Sequence, residues 1–540
     1  MGKAPSLTTL CLEVVKDEIL RGDDLMPVIR KLPTDLFDRL LLRLPPLPLL
    51  KLGMAMGFGS EEKEKQECDE AGQGNGRKRG RDFSYEDKEE QEYVDAGHGN
   101  GRKRGRDFSS EEKEEQEYDD ADHENGRKCG MISGWDKAWK HLYELRWPKL
   151  VNQNEYVDWL QIYWETHLQN CLDQAAEIAL LPLFDESLGE IGIPDSLLKH
   201  IGYENYMKVA TCDYSKLYFH CREFGRFARC LRIQNNICGR EISHLLRNCK
   251  LQSLALWWIR SEEQITGWLS EFIPRFSRSG PMSLGFGKSL QSLRALNIRG
   301  NELDEDDALG LRYAMVHMPH LELLDISDNP IQDRGIRNLL PYFIEASEKC
   351  TPFTDLYLEN CDISNGGVIE LINTLLTFKK PLESLSIADN VLGSQVAAAL
   401  GNLLSTSIQI LNISGIELGS PGFEDLEKSI TQTQELKLVE ITISKNRGGV
   451  AAANFLSTLL LRAPKLETIN AAYNWMPVEA SYIVCSAIKA AKGNLGLFNL
   501  RGNHLDGLTT HGLTEIQQAG KPVLNISLLP ILAARHDDDP

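Results

Sequence analysis

Cysteine and histidine are the side chains of this sequence that could bind a metal ion or attack a substrate. The chain has 12 cysteines, none of them in a Cys-x-x-Cys pair. The densest run has gaps of 9, 9, 8 and 11 residues and consists of Cys212, Cys221, Cys230, Cys238 and Cys249. These gaps fit neither a zinc site nor a disulfide framework. We therefore predict reduced, mostly buried thiols, no metal ion and no cofactor.

Catalytic motifs are absent from the sequence. It contains no glycine-rich phosphate loop, no His-Glu-x-x-His motif, no Gly-x-Ser-x-Gly elbow and no protein-kinase signature. His220 stands beside Cys221, but the surrounding segment KLYFHC is apolar, which favours a structural role over a nucleophilic pair. We predict that the chain is not an enzyme.

Composition and charge argue against two classes of partner, nucleic acids and membranes. The chain has 540 residues, 42% of them hydrophobic, and a net charge of −19. Nucleic-acid binding needs clustered Lys and Arg, so this acidic balance argues against it. The most apolar stretch, LLLRLPPLPLLKLGMAMG, is interrupted by Arg43, Lys51 and three prolines, so no span is expected to cross a membrane. We expect two or three domains, with neither nucleic acid nor a membrane as partner.

Residues 60–130 form a charged tandem repeat with a period of 25. GNGRKRGRDFS begins at Gly74 and again at Gly99, and the tract holds 23 acidic and 14 basic side chains. With so few aliphatic residues it is predicted to be disordered. Its basic clusters have the density of a nuclear-import signal and are formed by Arg77, Lys78, Arg79, Arg102, Lys103 and Arg104. The alternative is that they only keep a linker solvated; we expect a nuclear or cytoplasmic protein, or both.

The C-terminal half repeats the pattern L-x-x-L-x-L-x-x-N. It gives eight register marks, at Asn301, Asn329, Cys361, Asn390, Ile416, Asn446, Asn474 and Asn503, with intervals of 28, 32, 29, 26, 30, 28 and 29 residues. Two more copies resemble it upstream, ARCLRIQNN and LQSLALWWI, followed by an insertion between Ile259 and Asn301. This pattern is similar to leucine-rich repeats of the ribonuclease-inhibitor-like class.

The resemblance implies an α/β fold. We predict a leucine-rich repeat solenoid with parallel strands inside and helices outside, because one such unit cannot bury its own apolar face. The strand positions between the inward aliphatic residues form its concave face, which we call the strand face. A protein substrate is expected to bind there, although a merely solvated face is the alternative. The candidate residues on it are Trp257, Arg299, Asp325, Tyr357, Glu359, Asn499 and Arg501.

The first residues of the chain predict an amphipathic helix with an unusual apolar stripe. In SLTTLCLEVV the apolar residues recur at helical spacing. Ser6, Leu7, Cys11 and Val15 resemble the BC-box of elongin C-binding proteins. The following LPTDLFDRLL is similar to the cullin-contacting half of a von Hippel–Lindau box, through Leu32, Pro33, Leu36 and Leu40. This resemblance implies elongin C and a cullin as partners.

A second resemblance covers part of the same region. LPTDLFDRLLLRLPPLPLLKL looks like the opening of an F-box, and WDKAWKHLYELRWP (residues 135–148) looks like its later helix, with the charged tract inserted between them. This reading implies an F-box adaptor as the partner instead. The helical residues that follow, up to about 225, are expected to cap the first repeat.

The sequence thus predicts five segments. These are a helical adaptor-binding module (1–59), the disordered tract (60–130), a helical segment that completes the module and caps the solenoid (131–225), the repeats (226–505), and a C-terminal cap and tail (506–540). This layout resembles substrate receptors of cullin-RING ubiquitin ligases. There are two alternatives. The first is a leucine-rich repeat scaffold unconnected to ubiquitin, and the second is a GTPase-activating leucine-rich repeat protein.

Overall fold

The computed structural model describes residues 6–21, 26–58, 133–150, 157–181, 187–203, 215–234, 245–246, 249–257, 287–432, 435–491, 493, 495–505, 515–516 and 523–525. The charged tract 60–130 with its basic clusters, predicted to be disordered and to carry an import signal, lies outside these residues. So does most of the expected insertion before Asn301. None of the helices within the described ranges is long and apolar enough to cross a bilayer.

The chain divides into two compact units, Met1–Tyr163 with Pro194–Ala210, and Trp164–Ile193 with Thr211–Pro540. The segment 131–225, which the sequence suggests as one piece, is shared between them. Residues near 200 join the first unit because the backbone N–H of Leu47 donates to the carbonyl oxygen of Ile201 at 3.0 Å. Gly202, with φ at +80°, lies so close to Pro45 that an added Cβ would be 2.4 Å from the proline Cβ.

Within the described residues of the first unit, the named secondary-structure elements are all helices. It contains α1 (Leu7–Arg21), α2 (Met26–Ile29), α3 (Thr34–Leu41), α4 (Pro46–Met56), α5 (133–146), the first turn of α6 (Trp159–Ala179), and α7 (Asp195–His200). Pro33 is the N-cap of α3 and Pro46 opens α4. Proline suits the start of a helix because its missing N–H would have no intrahelical partner there. Gly57, with φ at +80°, ends α4 in the left-handed conformation that glycine adopts without strain.

Helices α4 and α5 pack together although the charged tract separates them in sequence. The Trp135 ring on α5 covers Gly53 on α4 so closely that a Cβ at position 53 would lie 2.1 Å from ring carbons. Trp139 is fully buried, with its ring centroid 5.3 Å from that of Tyr163. Burial raises the pKa of Tyr163. These aromatic side chains form the core of the unit and join the two parts of the F-box-like sequence.

The second unit is built on a sheet of eleven parallel strands in sequence order. The strands are β1 (Cys230–Gln234), β2 (Ser253–Trp257), β3 (Ala295–Asn297), β4 (Leu323–Asp325), β5 (Asp355–Tyr357), β6 (Ser384–Ser386), β7 (Ile410–Asn412), β8 (Glu440–Thr442), β9 (Thr468–Asn470), β10 (Leu497–Asn499) and β11 (Val523–Asn525). In each of β3 to β10 the middle residue is buried. The predicted leucine-rich repeat solenoid is confirmed.

Helices follow the strands along the chain. They are α8 (Leu217–Phe224), α9 (Gly287–Ser292), α10 (Glu305–Met315), α11 (Gln332–Glu348), α12 (Asn365–Leu375), α13 (Ala397–Leu404), α14 (Gly419–Thr431), α15 (Gly449–Arg462) and α16 (Val478–Ala490). Short 3-10 turns occur at Leu188–Glu190, Gly225–Phe227 and Ser394–Val396. Consecutive helices from α10 to α16 pack side by side, as expected for stacked repeats.

The repeat asparagines hydrogen-bond across neighbouring repeats. Asn329 is representative: its Oδ1 accepts from the backbone N–H groups of Asn301 and Leu303, and its Nδ2 donates to the carbonyl oxygen of Ile298. At the one position where cysteine replaces asparagine, the Cys361 thiol donates to the Ile326 carbonyl at 3.4 Å. Since these backbone groups are buried, the ladder satisfies donors and acceptors that would otherwise be costly.

The edge of the sheet at β1 is capped by side chains of α6. Glu165 Oε2 accepts from the backbone N–H groups of Arg229 and Cys230 at 2.6 and 2.8 Å. Gln169 both accepts from the N–H of Arg232, at 2.9 Å, and donates to its carbonyl oxygen, at 2.8 Å. Helix α6 thereby pairs the polar groups of an edge strand that would otherwise be open to another chain.

Candidate protein-binding surfaces

Helix α1 exposes an apolar face. Leu7 is 78% exposed and Val14 56% exposed, and Leu10 and Cys11 lie on the same exposed face. An isolated exposed leucine is ordinary, but four apolar side chains on adjacent helical turns form a continuous stripe. Val15, the last residue of the BC-box-like pattern, is half-buried at the margin of the stripe.

The opposite side of α1 holds the helix to the first unit. Leu12 is buried, at 3% exposure. Glu13 lies 3.6 Å from the guanidinium of Arg43, which follows α3, and Arg43 also reaches the Thr9 carbonyl oxygen at 3.5 Å. The Lys16 ammonium is the main cause that lowers the pKa of Glu13. These contacts orient α1 so that its stripe faces outward.

The residues that resemble a von Hippel–Lindau box differ in accessibility. Pro33 is exposed, and Leu32 and Leu36 are half-buried. Leu40 is fully buried and packs in the core of the first unit, because the helical spacing of α3 places it on the inner side with Phe37. Leu32, Pro33 and Leu36 are therefore accessible to a partner, whereas Leu40 is not.

The strand face carries a chain of hydrogen bonds across its first repeats. The indole N–H of Trp257 on β2 donates to Asn297 Oδ1 at 2.8 Å, and Asn297 Nδ2 donates to Asp325 Oδ2 at 2.7 Å. Burial raises the pKa of Asp325, and hydrogen bonds with Ser327 and the charge of Arg299 oppose the shift. Three predicted strand-face positions, Trp257, Arg299 and Asp325, thus lie close together on the structure.

Glu359 connects several further repeats. Its Oε2 accepts from the Arg299 guanidinium at 3.0 Å, while its Oε1 accepts from Ser386 Oγ at 2.7 Å and from Asn412 Nδ2 at 3.0 Å. Arg299 also donates to Asp328. One guanidinium is therefore shared by two carboxylates, and this part of the strand face keeps a net negative charge. A partner would meet a rigid polar surface, whose side chains are already ordered before binding.

The remaining predicted positions make hydrogen bonds of their own. Tyr357 is half-buried, with its hydroxyl 3.0 Å from Ser384 Oγ. Near the C-terminal end, Asn499 Nδ2 donates to Asn470 Oδ1 at 3.0 Å, and Arg501 is exposed. The strand-face residues therefore fall into a cluster on β2 to β7 and a second group on β9 and β10.

Two aromatic residues beside the second group were missed by the sequence reasoning. Tyr473 and Trp475 flank the repeat asparagine Asn474, are 54% and 56% exposed, and have φ values of +55° and +57°. The Arg447 guanidinium lies 5.2 Å from the Trp475 ring centroid. Trp, Tyr and Arg are the residues that dominate binding energy at protein interfaces.

Tyr473 occupies the position directly before a register mark of the repeat. The residue at this position has a positive φ in each of the eight repeats. These residues are Gly300, Asp328, Asn360, Asp389, Gly415, Lys445, Tyr473 and Gly502. Glycine, asparagine and aspartate tolerate this conformation, whereas a tyrosine is strained there. Retaining an exposed tyrosine at a costly position favours a binding role.

One group of side chains in the second unit could hold a metal ion. His167, Cys171 and His220 are buried, and one ligand atom from each lies within 4.8 Å of the others. No spacing in the sequence indicates this group, because its members come from two helices separated by about fifty residues of chain.

Comparison with known proteins supports the repeat assignment. The family profile described as Leucine Rich repeat matches residues 317–340. Over 168 residues the chain is 27% identical to the ribonuclease inhibitor of Sus scrofa, covering 31% of this chain and 36% of that protein. It is 32% identical over 108 residues to NACHT, LRR and PYD domains-containing protein 5 of Bos taurus, covering 20% of this chain and 10% of that one. The chain thus matches about a third or less of the length of these relatives.

Among solved structures, the crystal structure of the Rad7 and Elc1 complex in yeast aligns with 74% of this chain and 95% of the matched chain, at 13% identity and a TM-score of 0.31. The sheet, the profile and the ribonuclease inhibitor match together identify the second unit as a ribonuclease-inhibitor-like leucine-rich repeat array. This architecture is that of a protein-binding scaffold.

Proposed function

We propose that this protein is a non-enzymatic substrate receptor of a cullin-RING ubiquitin ligase. In this proposal the first unit binds an adaptor, elongin C or the F-box adaptor, and the leucine-rich repeats bind a protein substrate. The receptor's role is positional: it holds the substrate while the ligase core delivers ubiquitin to its lysines. No bond is made or broken by the side chains of this chain.

The exposed stripe of α1 is the observation that carries the proposal. A helix that served only to cap the first unit would turn its apolar stripe inward, where burial of each leucine or valine contributes about 1.5–3 kcal/mol. Here Leu12 and the Glu13–Arg43 pair hold the helix, while Leu7, Leu10 and Val14 remain outside. The small side chain of Cys11 lies between them on the same exposed face, where it would permit a close approach of a second helix.

A second observation supports the F-box adaptor as the alternative within this proposal. Trp135 on α5 packs against Gly53 on α4, so the two parts of the F-box-like sequence form one helical unit despite the tract between them. Pro33, which is exposed, and Leu36, which is half-buried, lie at the start of α3 in this unit.

Co-expression tests the proposal directly. The full chain is produced with elongin C and, separately, with the F-box adaptor, and retention is measured by affinity capture followed by gel filtration. We expect the wild type to retain one adaptor and the Leu7→Asp/Cys11→Phe variant to lose it. Leu461→Asp is the matched control, because Leu461 is a 51% exposed leucine on α15, outside the adaptor-binding module.

The outcomes separate the hypotheses. If the wild type retains neither adaptor, the receptor proposal fails, and a scaffold unconnected to ubiquitin or a GTPase-activating repeat protein would be tested next. Retention of the F-box adaptor alone, lost with Leu36→Asp and unaffected by the Leu7 and Cys11 changes, would assign the module to the F-box type. Loss with Leu461→Asp as well would show that the variants do not act through the stripe of α1.

A further inference from the structure

Three nitrogen and sulfur ligand atoms converge in the interior of the second unit. His167 Nε2 lies 3.0 Å from His220 Nδ1, and Cys171 Sγ lies 3.7 Å from the first nitrogen and 3.9 Å from the second. His167 and Cys171 are four residues apart on α6 and therefore share one face of that helix, while His220 is on α8.

The triangle formed by these atoms has the size of a metal coordination face. The point equidistant from all three atoms lies about 2.1 Å from each, close to the zinc–nitrogen length of about 2.0–2.1 Å. Moving an ion about 0.6 Å out of the plane and about 0.2 Å toward the two nitrogens keeps the nitrogen distances near 2.0–2.1 Å and lengthens the sulfur distance to about 2.3 Å, the zinc–sulfur length. A single ion would fit with shifts of the side chains no larger than a few tenths of an ångström.

The surroundings of the three side chains favour the neutral form of the histidines, which can bind a metal. All three residues are fully buried. Aromatic rings enclose them: Trp164 stacks on Phe224 with centroids 4.0 Å apart, and the Phe224 ring lies 5.6 Å from both imidazoles. An apolar enclosure disfavours the charged imidazolium and so leaves the nitrogen lone pairs that a metal requires.

We propose that His167, Cys171 and His220 bind one thiophilic d10 metal ion, Zn²⁺ or Cu⁺, which joins α6 to α8. Without metal, the 3.0 Å nitrogen contact is an N–H···N hydrogen bond between two neutral imidazoles. On binding, both facing imidazole nitrogens donate a lone pair to the ion. The proton between them therefore moves to the other nitrogen of its ring. The Cys171 S–H bond breaks, the metal–sulfur bond forms, and one proton is released to solvent.

The two ions differ in the charge and ligand number that they leave in the interior. Cu⁺ with one thiolate and two imidazoles is neutral and is satisfied by three ligands. Zn²⁺ with the same set carries one positive charge and prefers a fourth ligand. Cys171 and the two histidines therefore complete the ligand set for Cu⁺ and leave one position open for Zn²⁺. The identity of the bound ion and its coordination number separate the two forms.

The site would stabilise the cap of the solenoid. Helix α6 carries Glu165 and Gln169, the side chains that pair the backbone of β1. A metal ion bound by His167 and Cys171 would fix the same helix within one turn of Glu165 and Gln169. Binding of a ligand to the folded state alone raises its stability, so the holo protein should unfold at a higher temperature than the metal-free protein.

The test uses the full chain, purified under reducing conditions without chelators or immobilised metal. Metal content is measured by mass spectrometry, and metal-free protein is then titrated with Zn²⁺ and, anaerobically, with Cu⁺. We expect one ion per chain in the wild type, loss of it in Cys171→Ser, and full retention in Cys485→Ser, a matched buried cysteine on α16. One Zn²⁺ per chain in the purified wild type identifies the zinc form, whereas one Cu⁺ per chain identifies the copper form.

A spectroscopic measurement on the wild type keeps the proposal falsifiable if a variant fails to fold. Co²⁺ added to the metal-free wild type should give a thiolate-to-cobalt charge-transfer band together with the ligand-field bands of a low-coordinate ion. The proposal is overturned if the folded wild type binds neither Zn²⁺ nor Cu⁺, if the cobalt spectrum shows no thiolate ligand, or if Cys171→Ser retains a stoichiometric ion.

Discussion

Asn446 joins two consecutive repeats through its buried side-chain amide, and its replacement by alanine should be among the most costly single changes in the solenoid. Its Oδ1 accepts from the backbone N–H groups of Ile416 and Leu418 at 3.1 and 3.2 Å. Its Nδ2 donates to the carbonyl oxygens of Ile413, Ile443 and Ser444 at 2.7, 3.1 and 3.2 Å. The side chain is fully buried, so water cannot replace these contacts.

The magnitude follows from the groups that would lose every hydrogen bond. The Ile443 carbonyl keeps a bond from Asn474 Nδ2, and the Ser444 carbonyl keeps one from the N–H of Gly415. That leaves the two N–H groups of Ile416 and Leu418 and the Ile413 carbonyl. Each unsatisfied buried group costs about 1–3 kcal/mol, so with partial relaxation we expect Asn446→Ala to lower the free energy of unfolding by about 3–6 kcal/mol.

Urea denaturation followed by far-UV circular dichroism measures this change by linear extrapolation. Asn402→Ala is the matched control, because Asn402 is an exposed asparagine on α13 of the same unit and should change stability by less than about 0.5 kcal/mol. Asn446→Cys should cost clearly less than Asn446→Ala. At the equivalent position the thiol of Cys361 donates to the carbonyl oxygens of Ile326 and Glu359.

The reasoning is refuted if Asn446→Ala is as stable as Asn402→Ala within about 1 kcal/mol, since orphaned buried groups could not then cost what is assumed. Equal effects of the cysteine and alanine variants would refute the narrower claim that a thiol can substitute in the ladder.

Two further predictions concern pH and packing. Because burial raises the pKa of Asp325, the folded state binds its proton more tightly than the unfolded chain, and stability should fall as pH rises from the ordinary carboxyl range through the raised pKa. Asp325→Asn should remove this loss, so that the variant gains stability relative to the wild type between about pH 4 and pH 7 in urea titrations at each pH; a pH-independent difference would contradict it. In the first unit, Gly53→Val should be destabilised by about 1–3 kcal/mol in thermal unfolding, since its Cβ would lie 2.1 Å from the Trp135 ring. The exposed neighbour substitution Met54→Val serves as the control, and equal unfolding temperatures of the two variants would contradict that prediction.

The sequence predicted the repeat architecture because the information is local and repeated. Each strand carries its own alternation of aliphatic and polar residues, and each repeat its own asparagine, so eight register marks define the stacking without any knowledge of distant contacts. The strand-face positions follow from the same register.

Other features depend on contacts between distant parts of the chain, which spacing does not encode. The sequence predicts an apolar stripe on α1 and does not indicate which side of the helix faces the protein. Burial of Leu12 and the Arg43 contact decide that Leu7 and Val14 face outward. Leu40 has the same apolar character as Leu36, yet packing places it in the core.

The sequence by itself thus determined the solenoid, its register and the absence of familiar catalytic motifs. Only the tertiary structure decided which apolar residues are accessible, that Trp135 closes over Gly53 across the charged tract, and that His167 and Cys171 meet His220. The physical reason is that periodicity fixes which side of an element is apolar, whereas the neighbour that covers that side is chosen by the packing of the whole unit.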